Sequence, residues 1–407
     1  MPYNNSRRPS FRGQSSRGNS SGYFGGRSNN SRRGKTKERI DVSRFIRATK
    51  PQEQEVYVPA NSFADFAIEA VLHQNLAARG YQVPSPIQDQ SIPHGLAGKS
   101  VVGIANTGTG KTAAFGIPLL DRLIKNQTDA ALVVAPTREL AQQIEDEFRN
   151  IGGGSKIRAA LLIGGSPMGP QLRDLRNNPR IVIGTPGRIK DHIERHTLKL
   201  AGFNVVVLDE VDRMLDMGFI NDMRTILSQL ADNRQSYFFS ATLDHKVKAL
   251  IDSFASEYVT ISVKTGDTAD SVEQDIIAFS GKDDKIEKLH DTLIDPSTVK
   301  AIVFHETKHG AERLSDELVA RGFKADAIHG GRSQGQRQRA LSRFKKNEVN
   351  ILVATDVAAR GIDVIDITHV INYSLPQTYD DYVHRIGRAG RAGRTGKALT
   401  FVEKSAR

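Results

Sequence analysis

The sequence predicts an α/β protein with two doubly wound, parallel-sheet domains in tandem. Short apolar runs without interrupting polar residues recur along most of the chain, as expected for parallel strands that are buried on both faces. Helical patterns lie between these runs, and this alternation is typical of doubly wound sheets. A polar stretch that starts at Ser262, SVKTGDTADSVEQ, divides the runs into two sets. A chain of 407 residues is long enough for two separate cores.

The first domain is predicted over residues 59–262 and the second over 273–407, with a linker at 263–272. The strand-like runs of the first domain are SVVGIA, AALVVAP, AALLIGG, RIVIGTP, NVVVLDE and SYFFSAT. Helical patterns between them include Gly110 to Lys125 and Glu139 to Asn150. The runs of the second domain are QDIIAFS, KAIVFHE, KADAIHG, NILVATD, HVINYSL and ALTFVE. Two such domains form a cleft, and the carboxyl ends of both sets of strands can face it.

Residues 1–58 are predicted to form a disordered tail and a transition segment. Residues 1–37 contain seven Arg, two Lys and no acidic residue, so this part carries +9 of the net charge of +11. It has almost no aliphatic residues, and it cannot bury enough apolar surface to offset the entropy of ordering. Its arginines and interleaved aromatic residues favour nucleic-acid contact over the alternative of a solubilising tail. In the transition segment, IDVSRFIRA has the pattern of a short helix, and no function is assigned to it.

The composition excludes several classes of protein. Because there is no cysteine, the chain has no disulfide, no thiolate metal site and no cysteine nucleophile. No apolar run approaches the roughly 20 residues that cross a membrane, and the basic N-terminus lacks the apolar core of a secretory signal. We therefore expect a cytoplasmic protein that does not bind membranes.

The stretch ANTGTGKT follows a predicted strand and opens a predicted helix. This context is typical of a P-loop, in which glycines let backbone N–H groups surround phosphates at the positive end of the helix. Lys111 is expected to contact the β- and γ-phosphates, and the Thr112 hydroxyl is expected to bind Mg²⁺. The other predicted nucleotide contacts of this loop are Thr107, Gly108, Thr109 and Gly110.

Acidic residues directly follow the predicted strand that ends at Leu208. P-loop proteins hold Mg²⁺ with an aspartate at such a strand end, so Asp209 is predicted to bind the ion, partly through water. Glu210 is in position to orient or deprotonate an attacking water. A solvated acidic loop is the alternative, but it leaves the upstream P-loop and the downstream SAT motif unexplained.

Taken together, the motifs resemble those of the DEAD-box ATP-dependent RNA helicases of superfamily two, over about Phe63 to Val402. The motifs occur in the family's order: Phe63 with GYQVPSPIQ, ANTGTGKT, PTRELA, the Gly164-Gly165 pair, TPGR, DEVD, SAT, IVFHETK, HGGRSQGQR, ATDVAARGIDV and HRIGRAGR. The resemblance implies two RecA-like domains that bind ATP, Mg²⁺ and RNA. It also implies an RNA-dependent ATPase that binds single strands and short duplexes of RNA without sequence specificity. Such a protein locally unwinds or remodels duplexes and is expected to act as a monomer.

The resemblance assigns further residues to ATP binding and hydrolysis. Gln88 is implied to read the adenine edge, and Phe63 is implied to stack on the base. Arg388 and Arg391 resemble arginine fingers, which reach the γ-phosphate from the second domain. Gly361 and Asp363 resemble the ribose and phosphate contacts of that domain.

The resemblance also assigns RNA contacts and coupling residues. The implied RNA contacts are Pro136, Thr137, Arg138, Gly164, Gly165, Thr185, Pro186, Gly187, Arg188, Thr307, His329, Gly330, Thr355 and Asp356. Backbone N–H groups, hydroxyls and arginines suit phosphate and 2′-OH recognition, which carries no base information. Ser240 and Thr242 resemble the element that couples hydrolysis to strand separation, and His384 and Asp212 are implied partners across the cleft.

Some positions depart from the family's pattern. Val211 replaces the usual alanine, which predicts strain of about 1–3 kcal/mol if no neighbour is smaller. Gly331 and Arg332 stand where an acidic or polar residue followed by an apolar one is common. The basic stretch from Arg332 to Lys346 is predicted to lie near RNA rather than to form a solvated helix face.

Two other functions remain open at this point. One is an RNA-binding clamp or annealing chaperone, in which the basic tail dominates and hydrolysis is slow. The other is a DNA-directed motor of the same superfamily, which the GYQVPSPIQ segment disfavours.

Overall fold

The strand order of two parallel sheets positions most motifs of this chain. The computed structural model describes residues 41–46, 57–106, 108–263, 272–359, 362, 364, 366–390 and 395–404. Within these residues, a seven-stranded sheet has the order β3-β4-β2-β5-β6-β1-β7, and all its neighbouring strands are parallel. Its strands are β1 Val101–Ala105, β2 Ala131–Val134, β3 Ala159–Leu162, β4 Ile181–Gly184, β5 Val205–Leu208, β6 Gln235–Ser240 and β7 Val259–Val263.

Helices cover both faces of this first sheet. They are α1 Ala70–Ala78, α2 Pro86–Leu96, α3 Lys111–Lys125, α4 Arg138–Ile151, α5 Met168–Arg176, α6 Pro186–Glu194, α7 Val211–Asp216, α8 Ile220–Leu227 and α9 His245–Asp252. The apolar runs have no polar interruptions because both faces of each central strand are buried, as alternate residues of β5 show. Val205 and Val207 pack into one apolar cluster, while Val206 and Leu208 pack into another on the opposite face.

The second sheet repeats this architecture in the C-terminal part of the chain. Its six strands in the described residues have the order β10-β11-β9-β12-β13-β8 and are all parallel. The strands are β8 Val272–Phe279, β9 Ala301–Phe304, β10 Ala325–Ile328, β11 Ile351–Ala354, β12 His369–Asn372 and β13 Gly396–Glu403. The helices are α10 Gly281–Ile294, α11 Lys308–Ala320, α12 Gln334–Lys345, α13 Asp356–Ala359 and α14 Tyr379–Ile386, and a 3-10 helix at Val42–Phe45 precedes the first domain.

The predicted fold class of two parallel-sheet α/β domains in tandem is confirmed. The helices predicted at residues 110–125 and 139–150 correspond to α3 and α4. Strand β7 is absent from the sequence prediction, because this edge strand alternates buried and exposed residues instead of forming an apolar run. The predicted disorder of the basic tail and most of the predicted linker fall at residues 1–40, 47–56 and 264–271, outside the described residues.

The carboxyl ends of the first sheet's strands sort the scattered motifs into two groups. Across the edge, β5, β6 and β1 are neighbours, and they lead into the acidic motif, the SAT motif and the P-loop. On the other side, β3, β4 and β2 lead into Gly164-Gly165, TPGR and PTRELA. No helix in the described part of the chain is both long enough and apolar enough to cross a membrane.

Candidate functional site

The predicted P-loop forms a tight turn between β1 and α3. Gly108 and Gly110 have φ angles of +86° and +88°, in the left-handed region that glycine adopts without steric cost. The Lys111 side chain is buried, and its Nζ donates a hydrogen bond to the Ala105 carbonyl at 3.1 Å. The lysine therefore lies under the loop that its backbone helps to form.

Helix α2 holds this loop from one side. The Ser85 hydroxyl donates to the Thr109 carbonyl at 2.7 Å, and Gln88 Nε2 donates to the Gly110 carbonyl at 3.1 Å. A Cβ atom at Gly110 would lie 2.3 Å from Gln88 Nε2, so this approach requires glycine. The Phe63 ring, the predicted base-stacking group, is only 5% exposed and packs edge-on against Phe66 and Tyr81.

Asp209 and Glu210 are both buried at the carboxyl end of β5. Burial raises the pKa of Asp209 to about 6, and the nearby Lys111 ammonium opposes this shift. Asp209 Oδ1 accepts the backbone N–H of Glu210 at 2.9 Å. Glu210 has a φ of +54°, which is uncommon outside glycine and occurs at functional sites where the surrounding structure enforces it. This left-handed conformation of Glu210 lets the chain pass from β5 directly into α7.

The donor set at this edge fits a magnesium ion. Asp209 offers a buried carboxylate, and Thr112 offers a hydroxyl in the first turn of α3. Glu210 Oε2 is buried without a hydrogen bond, and Arg213 Nε lies 3.4 Å from it. In the part of the chain that the structure describes, no three His, Cys, Asp or Glu side chains form a metal cluster. Mg²⁺ usually needs only one or two carboxylates besides substrate phosphates and water.

Asp212 ties the acidic motif to the SAT motif. Its Oδ2 accepts the backbone N–H groups of Ala241 at 2.9 Å and Thr242 at 3.1 Å. In return, the Ser240 hydroxyl accepts the backbone N–H of Asp212 at 3.2 Å. A shift of either motif therefore moves the other.

The second domain brings basic groups to the acidic motif. Arg213 of α7 lines the same narrow cavity as His384 and Arg388 from the second domain. Burial, together with Arg213 and Arg388, lowers the pKa of His384 to about 4, while Asp212 and Glu210 oppose this shift. His384 is therefore neutral at pH 7. Arg388 is buried and donates to the Ile362 carbonyl at 2.9 Å.

A cavity of about 420 Å³ brings most of the predicted RNA contacts of the first domain together with one predicted contact of the second domain. Its lining includes Pro136, Thr137, Arg138, Gly164, Thr185, Gly187 and Arg188 from the first domain and Gly330 from the second. Arg138 lies against Gly165, where a Cβ would come within 2.1 Å of Arg138 Nη1. Arg188 Nη1 donates to the Ser166 carbonyl at 3.2 Å, which fixes its guanidinium at the cavity wall. Pro186 is buried at the first turn of α6.

Several predicted RNA contacts of the second domain already bind other protein groups. The Thr307 hydroxyl caps α11 by accepting the N–H of Gly310 at 3.0 Å. Both carboxylate oxygens of Asp356 accept hydrogen bonds from Arg385, at 2.6 and 2.8 Å. His329 is buried and pairs with Glu312, and Thr355 is buried after β11. These side chains are held by internal hydrogen bonds, and their predicted contact with RNA stays a prediction.

Arg332, the unusual residue of the HGGR motif, turns back into its own domain. Its guanidinium donates to both oxygens of Glu312, at 3.0 and 2.8 Å, and also to Asp326. The hydrogen bonds from Arg332 are the largest cause that lowers the pKa of Glu312 to about 2, and His329 adds to it. Arg332 therefore acts as a bridge between β10 and α11.

The sequence interpretation missed a buried ion pair between the domains. Arg337 Nη2 of α12 lies 2.8 Å from Glu139 Oε2 of α4, and both side chains are at most 7% exposed. Gln334 Nε2 also reaches Glu139, at 3.5 Å, and Gln338 Nε2 donates to Gln142 Oε1 at 3.1 Å. The basic stretch that was predicted to lie near RNA thus contributes an arginine to the contact between domains. The one sequence signal for a role of Glu139 in this contact was its position inside the PTRELA motif.

Four predicted site residues lie outside the described residues. They are Thr107, Gly361, Asp363 and Arg391. Their predicted roles in nucleotide binding and hydrolysis stay predictions.

Val211 is part of the apolar core of the first domain. It is fully buried in the apolar cluster that also contains Met214, Met223 and Val247. Two of these neighbours are methionines, whose flexible side chains fill irregular gaps. Such side chains can adapt to the larger residue, and the strain predicted at Val211 stays a prediction.

Comparison with known proteins places the chain among helicases. The sequence model of the DEAD/DEAH box helicases matches residues 85–250, and that of the helicase conserved C-terminal domain matches residues 284–393. The DEAD-box ATP-dependent RNA helicase CshA of Bacillus licheniformis is 44% identical over 342 residues, which cover 84% of this chain and 70% of that protein.

Two solved structures of one yeast protein compare differently with this chain. S. cerevisiae Dbp5 bound to RNA and ADP BeF3 gives a TM-score of 0.74 at 29% identity, over 85% of this chain and 90% of that one. A Dbp5 variant bound to nup159, gle1, IP6 and ADP gives 0.58 at 28% identity, over 83% and 89%. The sequence identity is nearly equal in the two comparisons, and the TM-score is higher for the form bound to RNA and ADP BeF3.

We predict that Val211→Ala lowers the free energy of unfolding by about 1–3 kcal/mol, because it removes two methyl groups from a filled core. Chemical denaturation measures this change. Val319→Ala is the control, since Val319 is a helical valine that is 53% exposed, and it should change stability by at most a few tenths of a kcal/mol. A variant that is more stable than the parent would show that Val211 is strained after all.

We predict that Arg332→Leu lowers stability by about 1 kcal/mol at pH 7; the Glu312 side chain is 40% exposed, so solvent weakens the pair. The folded-state pKa of Glu312 is below its ordinary value of 4.5, so this stabilisation is present above pH 4.5 and disappears as the pH falls towards 2. Denaturation from pH 7 to pH 2.5 should therefore show the two proteins converging. A difference that is independent of pH would contradict the assigned ion pair.

Proposed function

The chain belongs to the DEAD/DEAH box helicase family, and we propose that it is an RNA-dependent ATPase in which closure of two domains remodels RNA without reading its sequence. As an ATP-dependent RNA helicase, it binds RNA and hydrolyses ATP. The observation that carries the proposal is the placement of groups from the second domain, His384 and Arg388, beside the acidic motif of the first. Catalytic groups supplied by two domains make hydrolysis depend on closure.

On the nucleotide side, the P-loop of the first domain binds the phosphates. The backbone of Gly108 and Gly110 faces them, and Lys111 moves from the Ala105 carbonyl to the β- and γ-phosphates. When ATP binds, the Gln88 amide releases its hydrogen bond to the Gly110 carbonyl and instead pairs with the edge of adenine. Phe63 packs near the base. Thr109 and Gly110 complete the loop, and Thr107, Gly361 and Asp363 are proposed contacts on the same basis of family membership.

Asp209 and Thr112 are proposed to hold Mg²⁺, the former partly through water. When bound, the ion supplies charge neutralisation on the phosphates. Glu210 takes a proton from the attacking water or orients it, and the left-handed backbone at Glu210 fixes its carboxylate near Asp209. Arg388 and Arg391 stabilise the charge that develops on the γ-phosphate.

On the RNA side, the cavity between the domains is proposed to follow the phosphate backbone. Thr137, Arg138, Thr185, Gly187 and Arg188 offer hydroxyl, guanidinium and backbone donors on one wall. Donors of this kind recognise phosphate and 2′-OH groups and carry no base information. The first sheet places this wall on the same edge as the P-loop, so RNA and ATP bind to one rigid unit.

The two sites are coupled through the domain contact. Arg337 and Glu139 pair only when the domains are together, and Glu139 is part of the motif that faces RNA. Asp212 links the acidic motif to the SAT motif, so domain movement at His384 reaches both. The closer similarity to the RNA- and ADP BeF3-bound form of Dbp5 supports a closed arrangement of these domains.

The proposal also covers the cellular location and the oligomeric state of the protein. We assign the protein to the cytoplasm, since a chain without cysteine suits a reducing compartment. We also propose that it acts as a monomer, because the site draws its groups from the two domains of one chain.

We predict that Glu210→Gln lowers the rate of RNA-stimulated ATP hydrolysis by about 100-fold or more, since the amide cannot accept the proton of water. Steady-state hydrolysis with and without single-stranded RNA measures this. Glu194→Gln, an exposed residue at the end of α6, is the control and should keep the parent rate. Parent hydrolysis that RNA does not stimulate would contradict the helicase assignment, and stimulation by DNA alone would favour a DNA motor.

We predict that Arg337→Gln reduces RNA-stimulated kcat/KM by about tenfold, the equivalent of 1.4 kcal/mol of lost preference for the closed form. The same assay, with RNA varied, measures this change. Arg339→Gln lies on the exposed face of the same helix and should have little effect. Equal activity of the Arg337 and Arg339 variants would show that the ion pair does not contribute to coupling.

A further inference from the structure

A short segment ahead of the first domain packs against the second domain. Val42–Phe45 is a 3-10 helix whose first turn is capped by Asp41, which accepts the N–H of Ser43 at 3.0 Å. Phe45 is only 1% exposed, and its ring centroid lies 4.8 Å from that of Tyr382. The Arg44 guanidinium lies over the Tyr379 ring, 3.7 Å from its centroid. A buried phenylalanine and a stacked arginine are the anchors expected of a specific docking contact.

The surface that receives this segment consists of α14 and the edge strand β8. Tyr382 is fully buried, and its hydroxyl donates to Gln274 Oε1 of β8 at 2.9 Å. Phe45 belongs to the same apolar cluster as Val272 of β8 and Ala398 of β13. The segment therefore completes a core of the second domain although it precedes the first domain in sequence.

Twelve residues after Phe45, at Tyr57, the chain is anchored to the first domain. The Tyr57 hydroxyl donates to Asp89 Oδ2 at 2.6 Å, and the N–H groups of Ala60 and Asn61 donate to the same carboxylate at 2.8 and 3.1 Å. Asp89 is buried in α2 and follows Gln88, which holds the P-loop. One short stretch of chain thus binds a different domain at each end.

We propose that docking of Asp41–Ile46 on the surface of Tyr379, Tyr382 and β8 forms a second tether between the two domains, which limits how far they separate. The inference rests on the domain closure proposed above. The chain has 12 residue steps from Phe45 to Tyr57. A fully extended chain spans at most about 3.6 Å per residue. While the segment is docked, Phe45 and Tyr57 therefore stay within about 43 Å of each other.

The expected consequence is a higher population of the closed form. A tether that restricts separation removes open arrangements and raises the effective concentration of one domain near the other. Since RNA binds the closed form better, loss of the tether lowers the apparent affinity for RNA without altering the catalytic groups.

The first test compares Phe45→Ala with Ile46→Ala. Ile46 is the next residue and is 54% exposed, so its truncation leaves the docked ring in place. We expect Phe45→Ala to raise the KM for RNA by about three- to tenfold, with kcat at saturating RNA within about twofold of the parent. Ile46→Ala should match the parent. Equal KM values for all three proteins would overturn the proposal.

A second test separates the tether from the packing of Phe45. Ten or twenty Gly and Ser residues are inserted between positions 50 and 51 of the full chain, which lengthens the connection and leaves both anchors unchanged. Dyes on Glu194→Cys and Asp316→Cys, both exposed and in different domains, report the domain separation without ligands. We expect an unchanged melting temperature, a separation that widens with each insertion, and a KM for RNA that rises as in Phe45→Ala.

If the insertions change neither the separation nor the KM, the segment only completes the core of the second domain and the tether is refuted. This holds even if Phe45→Ala lowers the melting temperature. The separation is measured without ATP or RNA, so it remains informative if the parent chain shows no RNA-stimulated hydrolysis, which would instead count against the proposed function.

Discussion

The order of the strands in two parallel sheets is the constraint on which the rest of this structure depends. Most motifs directly follow a strand, and parallel strands end at the same edge of their sheet. The exceptions are GYQVPSPIQ, which opens α2, and HRIGRAGR, which begins in α14. Strands β5, β6 and β1 are neighbours, so the acidic motif, the SAT motif and the P-loop meet although they are up to 135 residues apart, from Ala105 to Ser240. Strands β3, β4 and β2 place Gly164-Gly165, TPGR and PTRELA beside them, and neither group is assembled by local sequence.

Charge burial then makes the site depend on both domains. Asp209 and Glu210 are buried together, which is unfavourable for two carboxylates unless cations are near. Lys111 and Arg213 supply such cations from the first domain, and Arg388 adds another from the second. Glu139 of the PTRELA motif is also a buried carboxylate with a cation from the second domain. Burial raises the pKa of Glu139, and Arg337 opposes that shift. In the proposed opening of the domains, these acidic residues lose only Arg388 and Arg337, because Lys111 and Arg213 belong to the first domain.

Local features were predictable from the sequence because local rules govern them. The P-loop, the acidic residues at the end of β5 and helices α3 and α4 follow from glycine placement and apolar patterning. The left-handed backbone at Glu210 was not, since no spacing indicates it. The pair of Glu139 and Arg337 joins residues 198 positions apart, and Arg332 turns to Glu312 instead of RNA. Such choices depend on which surfaces meet in three dimensions, which the chain's periodicity does not encode.

The most direct test of this account measures the separation of the two domains as ligands are added. The absence of native cysteines allows a single dye pair on Glu194→Cys and Asp316→Cys, with single-molecule energy transfer as the readout. The account predicts that single-stranded RNA and a non-hydrolysable ATP analogue together produce one narrow, closed population, and that either ligand alone leaves a broad one. A distribution that stays the same under all four conditions would contradict coupling of the two sites by domain closure.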